Sequence, residues 1–353
     1  MHTYFLGANT PNGFISRYDE LFRDQRIRKT VILKGGPGCG KSTLMRSVGK
    51  AAAELGCEVE ELLCSSDPDS LDGIVIPGAG LALVDGTAPH ILEPPLCGCG
   101  AVYLDLGSCY DSKRLSEQKE QLFSLKAKNT ACYPFASSCF SAAEAADTAL
   151  HSLAKPTGIE VISSALCKNA KRQPANASTA KRFYHALTPK GAASCMLPCK
   201  TVWTLKDNFG VADGVLRTAA ECYQKAGCDV ILGSFPLSVH KLSHLVIPEQ
   251  SLAYVAVTEQ FAYPYPTAGQ YDLDALCTQS FSTKDALHAQ QLLLLREQAV
   301  REGLKFLAEA KKYHDALEAV YQPAVDFNAV DQKTDEIKKL LLRMLCKEGS
   351  THT

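Results

Sequence analysis

The chain of 353 residues lacks an excess of charge of either sign, since 37 Lys and Arg face 38 Asp and Glu, a formal net charge of −1. A balanced charge provides no general electrostatic attraction for nucleic acid or an anionic membrane, so we expect neither as the main partner. The sequence also lacks an apolar run long enough to cross a bilayer, and residues 1–6 lack the basic-then-apolar layout of a secretory leader. These absences predict a cytoplasmic protein without a membrane partner.

Cysteine pairs with the spacing of a zinc site are also missing, although the chain has 15 cysteines. The two closest pairs, Cys97 with Cys99 and Cys195 with Cys199, are not C-x-x-C motifs. An odd number of cysteines in a cytoplasmic chain favours small buried residues and free thiols over a disulfide framework. We therefore expect free thiols.

One motif of the chain is complete and fits G-x-x-x-x-G-K-[ST]. It consists of Gly35, Gly36, Pro37, Gly38, Cys39, Gly40, Lys41, Ser42 and Thr43. The motif lies between a predicted buried strand at 30–33 and a predicted helix at 42–55, the order in which a phosphate-binding loop occurs. Backbone N–H groups of the loop and the positive end of the helix attract an anion there. We further hypothesise that oxidation of Cys39 blocks the site.

The positions of the motif have distinct chemical roles. Gly38 and Gly40 let the backbone approach the phosphates, and Lys41 balances the charge of the β- and γ-phosphates. The Ser42 hydroxyl is a ligand for Mg²⁺, and Thr43 contacts the α-phosphate. The sequence therefore predicts a nucleoside triphosphate as the ligand, with Mg²⁺ as the metal, and leaves the base of the nucleotide open.

Two predicted strands end in an aspartate that is suited to the metal. Asp85 ends the apolar stretch 80–85, and Asp105 ends 101–105. An acid at the end of a strand beside the phosphate loop orients the water shell of Mg²⁺. Asp85 is the preferred candidate and Asp105 its alternative. In the loop 67–72 the aspartates are interpreted as turn and cap residues, and His90 as a solvated loop residue, with a role near the γ-phosphate as the alternative for both.

The second half of the chain repeats the first at an offset of 171 residues. Residues 226–230 echo 55–59, and residues 245–248 echo 74–77. The repeat predicts a strand at 201–205, a helix from about 213 to 226 and a strand at 252–257. The loop position of the second copy is shifted by one residue from this offset, so that Gly40 faces Ala212, Lys41 faces Asp213 and Ser42 faces Gly214. At the common offset Asp85 faces Ala256. Since the lysine and the metal acid are lost together, we expect a degenerate second copy with no nucleotide site.

The composition predicts two domains joined by a polar, basic linker. The first domain is expected at 1–167, the linker at 168–182 and the second domain at 183–353. Helical periodicity extends over 284–319 and 331–346 at the end of the second domain. Such a helical arm could also serve an unknown protein partner or a homo-oligomer.

The chain resembles a poorly characterised bacterial family of duplicated P-loop ATPases, sometimes labelled nucleotide kinase-like. The resemblance rests on Thr-Pro-x-Gly at 10–13, the loop at 35–43, the aspartate-rich segment 67–72, the segment 85–90 and the second copy. It implies tandem α/β P-loop NTPase-like domains with mostly parallel sheets flanked by helices, and ATP hydrolysis with Mg²⁺. A nucleotide or small-molecule kinase, and an ATP-dependent switch or scaffold with little turnover, are the alternatives.

Overall fold

The computed structural model describes residues 2–94, 96, 98–172 and 177–349, without the side chains of 347–349. Cys97 and residues 173–176 of the predicted linker lie outside this description. Among the described residues, no helix combines the length and the hydrophobicity that crossing a bilayer requires.

Helices and strands alternate along most of the chain. The strands are β1 (His2–Tyr4), β2 (Gly7–Thr10), β3 (Gly13–Ser16), β4 (Lys29–Lys34), β5 (Glu60–Leu63), β6 (Leu71–Ile76), β7 (Leu81–Asp85), β8 (Ala101–Asp105), β9 (Thr179–Arg182), β10 (His185–Thr188), β11 (Gly191–Ser194), β12 (Thr201–Lys206), β13 (Val230–Phe235), β14 (Ser238–Ile247), β15 (Leu252–Val257) and β16 (Gly269–Asp272). The helices are α1 (Glu20–Arg23), α2 (Lys41–Glu54), α3 (Ser112–Glu117), α4 (Lys119–Leu153), α5 (Ile159–Cys167), α6 (Ala212–Lys225), α7 (Leu273–Thr278), α8 (Thr283–Tyr321) and α9 (Phe327–Gly349).

The chain divides into two compact units, each assembled from separate segments. The first unit consists of Met1–Gly7, Ser16–Tyr133 and Leu307–Thr353, and the second of Ala8–Ile15 and Pro134–Phe306. This division differs from the predicted domains. Strands β2 and β3 and residues 134–167 belong to the second unit instead of the first, and residues 307–349 belong to the first unit instead of the second. The end of the predicted linker is also ordered, since it forms β9 in the second unit.

The first unit is built on a six-stranded sheet in the order β1-β5-β6-β7-β4-β8. Strand β6 runs antiparallel to both of its neighbours, and the other three pairings are parallel. Strand β4 therefore lies between β7 and β8, with Leu33 opposite Asp85 and Lys34 opposite Asp105. This register brings both candidate acids to the edge of the sheet where the glycine loop begins.

The core of the first unit joins distant parts of the sequence. Helix α2 packs its apolar face, formed by Leu44, Met45 and Val48, into a cluster that also contains Ile337 and Leu341 of α9. Burying such side chains contributes about 1.5 to 3 kcal/mol each. The C-terminal helix is thus part of the core on which the glycine loop rests.

The second unit contains a six-stranded sheet of the same topology, β9-β13-β14-β15-β12-β16. Its central strand β14 is antiparallel to both neighbours, and the remaining pairs are parallel. The predicted α/β class, with mostly parallel sheets flanked by helices, is therefore confirmed. The strands predicted at 201–205 and 252–257 are found at Thr201–Lys206 and Leu252–Val257.

The predicted register of the second loop is wrong by one residue. Helix α6 begins at Ala212, so the loop between β12 and α6 is one residue shorter than the loop between β4 and α2. Counted from the start of each helix, Ala212 stands in the place of Lys41, and Asp213 in the place of Ser42. A deletion inside an irregular loop leaves no periodic trace in the sequence, which is why the pattern did not reveal it.

The expectation of free thiols fails for one pair in the second unit. Cys167 of α5 and Cys222 of α6 form a disulfide, with 5.6 Å between their Cα atoms. Helix packing brings together two cysteines that are 55 residues apart in the sequence. Cys195 and Cys199 are free, as expected.

Candidate functional site

The glycine loop has the backbone conformation that its sequence requires. Gly38 has a φ of +68° and Gly40 a φ of +85°, both in the left-handed region. Glycine adopts this region without the steric cost that a Cβ atom imposes. The loop therefore turns sharply between the end of β4 and the first turn of α2.

Free backbone donors line the inner side of this junction. Within the part of the chain that the structure describes, the backbone N–H groups of residues 38–43 have no hydrogen-bond acceptor. The first intrahelical bond runs from the Leu44 N–H to the Gly40 carbonyl at 2.8 Å. Unpaired N–H groups at the start of a 14-residue helix attract an anion, because the helix dipole adds to their partial charges.

Lys41 lies across the mouth of the loop. Its Nζ donates to the Gly35 and Gly36 carbonyls, both at 2.8 Å, and lies 3.5 Å from Asp85 Oδ2. The side chain of Lys41 is only 12% exposed. A cation is thus held at the start of the loop, beside one of the candidate acids.

Asp85 is fixed to the loop by the turn that follows β7. Its Oδ1 accepts a hydrogen bond from the Thr87 N–H at 2.8 Å, and the Thr87 hydroxyl donates to the Gly35 carbonyl at 2.8 Å. Asp105 is instead exposed, and its Oδ1 accepts from the Gly107 N–H at 2.7 Å. The geometry therefore places Asp85 beside Lys41 and assigns Asp105 to a local turn.

Ser42 and Thr43 lie in the first turn of α2. The Ser42 Oγ accepts a hydrogen bond from the Leu71 N–H at 3.0 Å, which ties the helix to β6 and leaves the hydroxyl proton and a lone pair. Thr43 is exposed. Lys41, Ser42, Thr43 and Asp85 are thus gathered at one junction, as the sequence predicts.

Cys39 is buried, whereas its oxidation requires a thiol that is exposed to solvent. The thiol is buried, 1% exposed, and its sulfur lies 3.8 Å from Lys41 Nζ. It fills the space beneath Gly35, where an added Cβ would lie 2.7 Å from the sulfur. An oxidant reaches this sulfur only when the loop opens.

Sequence reasoning missed a group of side chains that cover the loop. An added Cβ on Gly36 would lie 2.9 Å from Tyr110 Oη and 3.4 Å from the Tyr321 ring, and one on Gly38 would lie 3.0 Å from Gln322. Tyr321 and Gln322 follow one another at the end of α8, just before Pro323 breaks the helical pattern. The break at Pro323 predicts where the helix ends, but it does not show that this end contacts the glycine loop.

The corresponding loop of the second unit contains its own anion. The Asp207 carboxylate accepts hydrogen bonds from the Val211 N–H at 3.0 Å and the Ala212 N–H at 2.8 Å. Burial raises the pKa of Asp207, and the two N–H groups oppose that rise. Ala212 stands in the place of the lysine, and the Asp207 carboxylate occupies the N–H groups at the start of α6; the nearby cation, Lys241, comes from β14, with its Nζ 2.8 Å from the position of an added Cβ on Gly210.

Asp67 and Asp69 lie in a turn, as predicted, with the Ser70 N–H donating to the Asp67 carbonyl at 2.8 Å. The predictions of a turn or cap role for Asp72 and of a solvated His90 are wrong. Asp72 is buried within β6, and His90 is also buried, with its Nε2 3.4 Å from Asp72 Oδ1. Asp67 forms an ion pair with Lys311 at 3.5 Å. A single sequence could not show that the strand β6 begins one residue before Asp72.

No protein family, no curated protein and no solved structure was found to match the chain. The interpretation of the site therefore depends on its geometry and its chemistry.

Proposed function

We propose that this protein binds a nucleoside triphosphate, ATP, together with Mg²⁺ at the loop 35–43 and hydrolyses it. The free N–H groups of residues 38–43 beside the cation of Lys41 are the observation that carries the proposal. The free N–H groups at a helix start usually donate to water or to a capping side chain, whereas one phosphate accepts hydrogen bonds from several of them at once. The resemblance to duplicated P-loop ATPases agrees with this interpretation.

The residues present fit both the triphosphate and the metal. The Ser42 hydroxyl and the Asp85 carboxylate are the oxygen ligands, direct or through water, that Mg²⁺ prefers. When bound, Mg²⁺ neutralises charge on the phosphate oxygens that would otherwise repel an attacking water. Lys41 stabilises the same negative charge, and Asp85 keeps the Lys41 ammonium in place.

The second unit supports the proposal by contrast. Its junction has the same strand, loop and helix, yet Asp207 occupies the helix N-terminus and Ala212 replaces the lysine. We infer that the two units are copies of one ancestral domain and that only the first retains a nucleotide site.

Titration calorimetry with ATP and Mg²⁺, combined with phosphate release, tests the proposal. Replacing Lys41 with Ala removes a charged donor that is worth about 1.5 to 3 kcal/mol, so affinity should fall about tenfold or more. Lys50→Ala is the matched control, because Lys50 is exposed on the same helix and its one ion pair within the described part of the chain is with Glu54 at 4.0 Å. Equal ATP affinity in Lys41→Ala and Lys50→Ala would overturn the assignment.

Phosphate release distinguishes hydrolysis from the alternatives. Steady release from ATP and water alone is expected, and Lys41→Ala should abolish it. Release that requires an added acceptor would instead show a kinase, and tight binding without release would show a switch.

A further inference from the structure

A buried group of metal-ligating side chains lies in the first unit, separate from the glycine loop. Cys64 follows β5, Asp72 is the second residue of β6, and His90 lies in the segment after β7. These three strands are neighbours in the sheet. A sulfur, a carboxylate oxygen and an imidazole nitrogen, one from each residue, all lie within 4.8 Å of one another.

The three side chains are enclosed by protein. The exposed fraction is 7% for Cys64, 3% for Asp72 and 6% for His90. Within the described residues Asp72 forms no ion pair with a Lys or Arg; its partners are the His90 ring, the Cys64 thiol and the Tyr18 hydroxyl. Buried carboxylates are usually paired with a cation or coordinate a metal. A divalent cation among these residues would supply the missing charge.

The donor set matches a particular class of metal. Thiolate, imidazole and carboxylate together suit Zn²⁺ and related divalent transition metals, with three protein ligands and one further position. Ligand atoms around a tetrahedral Zn²⁺ lie about 3.5 Å apart, as follows from metal–ligand distances of about 2.0 to 2.3 Å. Since the three ligand atoms lie within 4.8 Å of one another, small side-chain rotations would bring them to the separations of a zinc site.

Tyr18, which is also buried, orients the Asp72 carboxylate and the His90 ring. Its hydroxyl donates to Asp72 Oδ2 at 2.6 Å, while Asp72 Oδ1 faces His90. The Tyr18 ring also meets the His90 ring edge-on, with 5.3 Å between centroids. A hydrogen bond to the non-ligating oxygen of a carboxylate is a common second contact of metal sites. Tyr18 is therefore a positioning residue.

The second unit shows that the fold itself does not require these polar residues. Leu63 pairs with Leu71 in the first sheet, and Ser234 pairs with Leu242 in the second. The two pairs correspond at the offset of 171 residues, which we use to match positions between the units. The positions of Cys64, Asp72 and His90 are then occupied by Phe235, Ser243 and Phe261. The two phenylalanine rings pack edge-on, with 5.0 Å between centroids. The second unit thus has neither a thiol nor a carboxylate at these positions, although Ser243 Oγ lies 2.8 Å from His244 Nδ1 and the His185 ring packs on Phe261. The combination of thiol, carboxylate and imidazole is particular to the first unit.

We propose that Cys64, Asp72 and His90 form a binding site for a divalent transition metal ion of the Zn²⁺ class. The site lies at the same edge of the sheet as the glycine loop, and Leu71, next to Asp72, donates to Ser42. A bound ion would hold the ends of β5, β6 and β7 together beside that loop. The proposal does not depend on nucleotide binding.

Titration of the full-length, chelator-treated protein with Co²⁺ tests the site. We expect one Co²⁺ per chain and an intense thiolate-to-cobalt absorption in the near ultraviolet, which Zn²⁺ removes. Cys64→Ser should lose this band, whereas Cys99→Ser, which alters an exposed free thiol, should keep it. Tyr18→Phe should weaken Co²⁺ binding about tenfold or more.

A folded wild-type protein without the band, or an unchanged band in Cys64→Ser, would overturn the proposal. A second variant guards against loss of folding. It combines Cys64→Phe, Asp72→Ser and His90→Phe, the residues of the second unit. Circular dichroism should show it folded, and it should bind no Co²⁺ through a thiolate; a retained band would place the metal elsewhere and contradict the assignment.

Discussion

Asp207 accepts a hydrogen bond at 2.8 Å from the backbone N–H of Ala212, the first residue of α6. At the start of α2 in the first unit, the equivalent N–H belongs to Lys41 and has no acceptor among the described residues. The N-terminus of α6 is therefore capped by a carboxylate of the same chain, whereas the N–H groups at the start of α2 are free to bind an anion.

Removing the Asp207 carboxylate should destabilise the second unit. Asp207→Ala leaves two buried N–H groups without acceptors, which costs about 1 to 3 kcal/mol. Urea denaturation followed by the fluorescence of Trp203, the single tryptophan and a residue of β12, measures the change. Glu221→Ala, which removes only an exposed pair with Lys225, is the control. Equal stability of the two variants would refute the capping role.

The two candidate acids should differ sharply in their effect on ATP hydrolysis. Asp85→Asn removes the carboxylate beside Lys41, so the rate should fall about 10- to 100-fold, as for other residues that orient a metal's ligands. Asp105→Asn alters only the turn at Gly107 and should leave the rate unchanged. Steady-state phosphate release measures both variants. A larger loss in Asp105→Asn would reverse the assignment.

Gly38 should tolerate no side chain. An added Cβ would lie 3.0 Å from Gln322 Cγ and 3.2 Å from the Glu318 carbonyl oxygen, and φ is +68°. Gly38→Ala should therefore lose about 1 to 2 kcal/mol of stability from backbone strain alone, and should weaken ATP binding as well. Thermal denaturation and calorimetry provide the two readouts. Gly78→Ala, where an added Cβ meets nothing within 4 Å, should match the wild type.

Stability of the second unit should fall in mild acid because of two buried histidines. Burial lowers the pKa of His185 to about 4, and burial together with His185 lowers the pKa of His244. The unfolded chain takes up protons below about pH 6.5 while the folded chain does not, so stability is complete above that pH. The contribution of His185 should decline by up to about 1.4 kcal/mol per pH unit down to about pH 4, and the lowered pKa of His244 adds a decline in the same direction.

The urea midpoint of Trp203 fluorescence at several pH values measures this decline. His185→Gln should reduce the dependence on pH, whereas His240→Gln, which alters an exposed residue of β14, should retain it. A midpoint of the wild type that stays constant between pH 7 and pH 5 would contradict the prediction.

Local patterns in the sequence were sufficient for the elements of the site. The strand before Gly35, the helix from Lys41 and the strand that ends in Asp85 all follow from short apolar runs and one motif. The mostly parallel sheets were expected from the resemblance to duplicated P-loop ATPases, and the antiparallel β6 and β14 were not foreseen. Each of these features depends on residues that are near one another in the chain, which is why they could be predicted.

Features that depend on tertiary packing were not predictable in this way. The position of Tyr321 against Gly36, the disulfide of Cys167 and the burial of His90 all require contacts between distant segments. The periodicity of α9 shows an apolar stripe but not which sheet it covers. The domain boundaries predicted at 168–182 differ from the compact units for the same reason.

Ile337 and Leu341 of α9 complete the core beneath the glycine loop. These residues are synthesised about 300 residues after the glycine loop, so the first unit cannot complete its core until nearly the whole chain has been made. Expression of residues 1–167 alone should therefore give a fragment in which the apolar face of α2 that packs on α9 is exposed.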